Sequence, residues 1–287
     1  MEDGLYRGFE YKLEPHGVGV IRFNQPERLN GMTQVAKRDL AEALLQLEMD
    51  SRVRVIVITG SGRAFSAGDD ITGKPVSYDG ATALVPDLPR GGPPIERISS
   101  LRLRSQSIAW LVRNISKLTI ASINGVAVQA GLSLALACDY RLASNEARLG
   151  SGTLRFAYQP DEGGHYLLVK IMGATRALDF MMRNKIVGAD EARSLGLVSE
   201  VLPPEELWPR TMELATELAN GPQVAMRLLK RSIYRCEELT MEQAGEDIAV
   251  RTAISDYHED AHDGRQSFVE KRRPRFNAWI EAQGDGR

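Results

Sequence analysis

Residues 53–59, VRVIVIT, constrain this chain more than any other segment, because the run is almost wholly β-branched and carries apolar side chains at both strand parities. Such a strand cannot lie with one face in water. It must be covered on both sides, as in a parallel sheet flanked by helices. Residues 118–124, LTIASIN, read as a second buried strand, and 18–23, VGVIRF, as a first one, stopped by Asn24-Gln25-Pro26. Between these runs the period changes. Residues 33–49, TQVAKRDLAEALLQLEM, have apolar residues at helical spacing and good helix formers.

The remaining pattern extends this α/β order. A long helix is predicted over 98–116 and another from 131 to 138. Short strands are predicted at 140–143 and 147–149, then helices over 161–183. Residues 188–202 read as a short helix followed by a strand. Residues 72–97 are crowded with proline and glycine and read as an irregular loop. Residues 204–280 are helical almost throughout, with breaks at Pro222, Gly264 and Pro274. The expected organisation is therefore a core over 1–203 that carries the site, followed by a helical region over 204–287.

Charge and cysteine usage exclude several functions. Thirty-six Lys and Arg against thirty-eight Asp and Glu give no reason to expect nucleic acid or an anionic membrane as a partner. Cys138 and Cys236 lie in no CxxC or Cys/His cluster, so neither a disulfide framework nor a metal site is expected, and a reducing, cytoplasmic setting fits. The N-terminal MEDGLYRGFEYKLEPHG has no apolar signal core. The longest apolar stretch, 126–138, is interrupted by Gln129, Gly131 and Ser133 and is too short to span a bilayer.

The chemistry concentrates in two turns, each after a buried strand: AFSAGDDI at 64–71 and NGVAVQAGLSLA at 124–135. Gly68 and Gly131 would admit a ligand close to the backbone. Ala130 and Gly131 would open a helix, whose free N–H groups attract negative charge. Two N–H groups converging on one oxygen make an oxyanion hole. Small residues after a strand also serve plain helix–sheet packing. Neither turn has the GxGxxG or GxxxxGK[ST] pattern of a phosphate loop, which disfavours a dinucleotide- or ATP-dependent role.

Taken together, AFSAGDDI, NGVAVQAGLSLALACDYRLAS and GADEARSLGLVSEVLP, with PERLNGM before them and DGRQSFVEKRRPRF after, resemble the crotonase (enoyl-CoA hydratase/isomerase) superfamily from about residue 19 to 276. The resemblance implies an α/β spiral of ββα turns with a helical C-terminal trimerisation region. It implies an acyl-CoA substrate, no metal, and no cofactor beyond the coenzyme A of that substrate. It also implies a homotrimer or a dimer of trimers. Carried over by position, the oxyanion donors are the backbone N–H groups of Asp69 and Ala130. Ala67, Gly68, Asp70, Ile71, Gly131, Ser133 and Thr153 line the substrate. Arg28 and Lys271, with Phe268 nearby, are placed near the coenzyme A phosphates and tail. Arg28 is equally readable as a solvated surface charge.

One departure from the family pattern matters. Hydratases of this kind place two glutamates where this chain has Ser133 and Thr153, and a hydroxyl needs an activating partner to work as an acid or base near neutrality. Asp161, in QPDEGGH, falls where dienoyl-CoA isomerases and 4-chlorobenzoyl-CoA dehalogenases place a working aspartate. Asp161 is therefore the expected acid/base, with Glu162 beside it and His165 behind. Their alternative role is to cap and complement the following helix. A double-bond shift needs one carboxylate, so isomerisation, or hydration by a variant site, is expected over two-glutamate hydration. An acyl-CoA C–C hydrolase or dehalogenase-like enzyme, and a non-catalytic acyl-CoA-binding protein, are the other readings.

Overall fold

A computed structural model describes residues 1–87 and 94–280. The chain opens with an antiparallel meander, β1 (Gly4–Tyr6), β2 (Phe9–Glu14) and β3 (Val18–Phe23), and then enters α1 (Gln34–Met49). The Thr33 hydroxyl accepts the Ala36 N–H at 3.1 Å and so starts α1. Next come β4 (Val55–Gly60) and β5 (Ala64–Ser66), followed by α2 (Pro94–Ser100) and α3 (Ser107–Asn114). The same strand–strand–helix order repeats with β6 (Leu118–Ile123), β7 (Val126–Val128) and α4 (Ala130–Ala137). It begins again with β8 (Tyr140–Ser144) and β9 (Arg148–Gly150), which lead to α5 (Gly164–Met172) and α6 (Ala174–Met182). Strand β10 (Ile186–Gly188), α7 (Ala189–Ser194) and β11 (Glu200–Leu202) close the core. Helices α8 (Pro204–Asn220), α9 (Gln223–Cys236), α10 (Met241–Asp256) and α11 (Glu259–Glu270) follow.

The long strands and the short strands form separate sheets. The larger sheet has the order β1-β2-β3-β4-β6-β8-β11 and is parallel from β3 onward. The smaller runs β10-β9-β7-β5. Each long strand β4, β6 and β8 thus passes its chain to a short strand in the other sheet, which generates the spiral of ββα turns. Strand β4 shows why its sequence had to be β-branched throughout. Val55 and Val57 face a cluster completed by Leu207, Ala215 and Leu218 of α8, while Ile56 and Ile58 face the main core with Leu40, Leu44 and Phe65. Each such side chain contributes roughly 1.5–3 kcal/mol on burial. Helix α8 therefore packs on the larger sheet rather than standing apart from it.

Four expectations are corrected. Strand β3 is not the first, because β1 and β2 precede it. Residues 64–66 and 126–128, read as parts of turns, are strands β5 and β7. The helix expected over 98–116 is two helices joined by a π-helical turn at Leu101–Ser105. That wider turn carries Ser105 into a buried position. Of the loop expected over 72–97, residues 88–93 lie outside the described residues. Residues 94–97 begin α2, and Thr82 bridges back to Tyr6. Among the described residues, no helix is long and apolar enough to cross a membrane.

Candidate active site

The turn after β5 uses its amides selectively. Ala67 N donates to Leu29 O at 2.9 Å, Gly68 N to Ser66 Oγ at 3.1 Å, and Asp70 N to Met32 O at 3.0 Å. Gly68 O in turn accepts from Met32 N at 2.7 Å. The amide of Asp69 has no acceptor among the described residues. In the second turn Gln129 N donates to Gly150 O at 3.2 Å, and Ser133 N donates to Gln129 O at 3.0 Å. The Ala130 amide, first in α4, has no carbonyl one turn behind it and no acceptor among the described residues.

The two turns abut. Gly68 has φ +88°, and a Cβ built on it would lie 2.6 Å from Gln129 Cβ and 2.9 Å from Ala130 N. Only glycine meets both the backbone angle and the close approach. Gly131 is pressed more tightly still, a Cβ there lying 2.2 Å from the Ser66 carbonyl oxygen. Gln129 itself holds φ 55° and ψ −126°, a conformation strained by about 1–3 kcal/mol for a residue with a side chain. The Thr153 hydroxyl donates to Gln129 Oε1 at 2.8 Å and braces it.

Glu162 shares a cavity with the Ala130 end of this junction. A small cavity of about 10 Å³, water-sized, is lined by Ala130, Ser133, Glu162, Lys37 and the apolar Met32, Ile108 and Leu134. Ser133 Oγ bonds Gln129 O at 3.3 Å and lies so close to Gly164 that a Cβ there would strike it. The bare Gly164 thereby brings the start of α5, and Glu162 with it, against α4. Burial, then the charges of Asp161 and Asp69, push the Glu162 carboxyl up to about 7, with Lys37 opposing them. Asp161 is half-buried and His165 exposed, and neither lines this cavity. Glu162 also borders a larger groove of about 480 Å³, walled by Trp110, Arg113, Tyr166, Leu167 and Tyr234.

The other expected residues spread outward. Arg28 is engaged by the Asp70 carboxylate and by Thr72 Oγ1 at 2.8 Å. Burial raises the Asp70 carboxyl, but Thr72 and Arg28 outweigh it and hold that group below its usual range. Ile71 is exposed beside them. Lys271 caps the end of α11, an exposed position with no described bond to either turn. Sequence reasoning passed over Lys37, whose ammonium pairs with the Asp69 carboxylate. The signal was present, since on a helix Lys37 shares the face of Leu40 and Leu44.

The sequence profile of the enoyl-CoA hydratase/isomerase family matches residues 14–82 and 94–279. The 1,2-epoxyphenylacetyl-CoA isomerase of Escherichia coli K12 is 33% identical over 269 residues, covering 91% of this chain and 95% of that protein. The 4-chlorobenzoyl coenzyme A dehalogenase-2 of an Arthrobacter species is 32% identical over 233 residues, 80% of this chain and 79% of its own length. A solved enoyl-CoA hydratase from Bacillus anthracis superposes with a TM-score of 0.83 at 26% identity, over 94% of this chain and 98% of that one. The chain belongs to the enoyl-CoA hydratase/isomerase, or crotonase, family, whose enzymes act on coenzyme A thioesters.

Proposed function

We propose that the protein shifts a carbon–carbon double bond in an enoyl-CoA thioester, with Glu162 as the single acid/base. The thioester oxygen sits against the N–H groups of Asp69 and Ala130. The Glu162 carboxylate removes a proton from the carbon chain, and the electron pair moves into a dienolate whose charge rests on the thioester oxygen. The two amides stabilise that charge without reorganising, because they are fixed by their turns. The same carboxyl group, now protonated, returns the proton at the other end of the conjugated system. A proton affinity near neutrality suits a group that must both take and give.

The observation that carries this reading is a buried Glu162 carboxyl, raised to about 7, lining one cavity with Ala130. Ser133 and Thr153 stand where a hydratase would hold its glutamates, and Thr153 is occupied with Gln129. The test is conversion of a trans-3-enoyl-CoA to the 2-enoyl isomer. Glu162→Gln lowers turnover about 10²–10⁴-fold, whereas Asp161→Asn retains most of it. The opposite ranking assigns the proton to Asp161 and overturns the reading. Assembly belongs to the same proposal. Exposed Leu229, Ile233, Ile248, Ile254, Tyr257 and Phe268 on and beside α9–α11 are the surface a trimer would cover.

A further inference from the structure

Lys37 is only 2% exposed on a helix face otherwise built for the core. A buried ammonium is tolerated only with a partner, and its partner is the side chain of Asp69, whose amide has no acceptor among the described residues. The backbone around residue 69 is already fixed. Gly68 O accepts from Met32 N at 2.7 Å. In a trans peptide the N–H of Asp69 points opposite to that carbonyl, away from Met32. What the backbone does not fix is the aspartate side chain. A short carboxylate readily folds back onto nearby backbone N–H groups. Next to a site for developing negative charge, a free carboxylate would either occupy the donor or repel the charge.

We propose that Lys37 is a positioning residue of the oxyanion hole: it draws the Asp69 carboxylate off the Asp69 amide and neutralises it beside the thioester oxygen. The inference rests on the thioester reading of the site but not on which carboxyl group moves the proton. It explains why an aspartate is tolerated at this position: α1 supplies the matching charge from 32 positions earlier in the chain. It also explains why Lys37 lines the same cavity as Ala130 and Glu162.

The test uses acetoacetyl-CoA, whose enolate absorbs in the ultraviolet and mimics the charge the hole must hold. In Lys37→Met the enolate fraction of bound ligand falls roughly tenfold, part of the 10²–10³-fold that loss of a whole donor carries. The double variant Lys37→Met/Asp69→Ala recovers it, because no carboxylate is left to restrain. Replacing a buried ion pair by apolar groups is close to neutral for folding, so the double variant stays measurable even if the single one folds poorly. An unchanged enolate fraction in folded Lys37→Met overturns the proposal, as does a double variant no better than the single one. Melting temperature, followed in parallel, separates a merely structural lysine, which would lower it without moving the enolate fraction. If enolate binding behaves as described while wild-type protein shifts no double bond, the isomerase reading fails and this one stands.

Discussion

A backbone amide can serve a ligand only where the fold leaves it without an acceptor, and at residues 69 and 130 two abutting turns do this by different means. The first spends the amides of its neighbours on Leu29, Ser66 and Met32. The second sets the amide at a helix start. Gly68 joins the two, so Gly68→Ala should both strain the backbone and push Ala130 aside. We expect a loss of about 1–3 kcal/mol in stability and at least roughly tenfold in turnover, read by urea titration and enoyl-CoA assay. The Glu162 carboxyl makes stability depend on pH. Its folded-state pKa lies above the unfolded value, so the folded protein holds the proton longer. The wild type is therefore favoured below about pH 4.5 and loses that share of stability as pH rises to about 7. Glu162→Gln removes the buried charge. It should gain about 1–3 kcal/mol over wild type at pH 8 and little at pH 4, a difference that denaturant titrations at the two pH values would resolve.

At the scale of elements, α9 is pinned to the sheet by charge as well as by apolar contact. Lys230 reaches Asp139 at 2.8 Å and Lys117 O at 2.8 Å, and the Tyr234 hydroxyl donates to the same Asp139 carboxylate. Thr119 N closes the ring at 2.7 Å from Asp139. Outside this cluster, Arg113 stacks on the Tyr234 ring at 3.3 Å and pairs with Glu237 at 3.6 Å. Removing one partner of a buried pair leaves the other charge stranded. Asp139→Ala should thus cost about 3–5 kcal/mol and release α9, which hydrogen exchange would register as faster amide exchange across Gln223–Cys236. Because Tyr234 also walls the groove beside Glu162, the same change should weaken acyl-CoA binding. Unaltered exchange in α9 would show that apolar packing alone holds the helix.

For the whole molecule, the C-terminal helices carry several large apolar side chains that the single chain leaves uncovered. Tyr257 is 93% and Phe268 86% exposed, with Ile254 and Val250 between half and two-thirds exposed. Exposed apolar patches on this scale mark association surfaces. If this face assembles as proposed, light scattering should give a mass three or six times that of one chain. The pair Ile254→Asp and Phe268→Asp should shift it toward the single chain, because buried unpaired charge opposes association. A single-chain mass for the wild type would refute the assembly.

The chain's own residues determined the parallel strands, since β-branched side chains on both parities leave no other place for β4, and they determined α1 with its Thr33 cap. They also marked the two turns, where small residues after a strand permit close backbone approach. Of the smaller sheet only β9 was legible, as the strand expected at 147–149; β5, β7 and β10, three residues each, are too short to display a period of two. The choice between Asp161 and Glu162 was not legible either. Adjacent side chains leave the backbone in different directions, and which one turns inward depends on Gly163 at φ +85° and on α5 closing over Ser133. The Lys37–Asp69 pair likewise joins an early helix to a later turn. Local pattern sets which face of an element is apolar, but only the packing of distant elements decides which buried charge meets which.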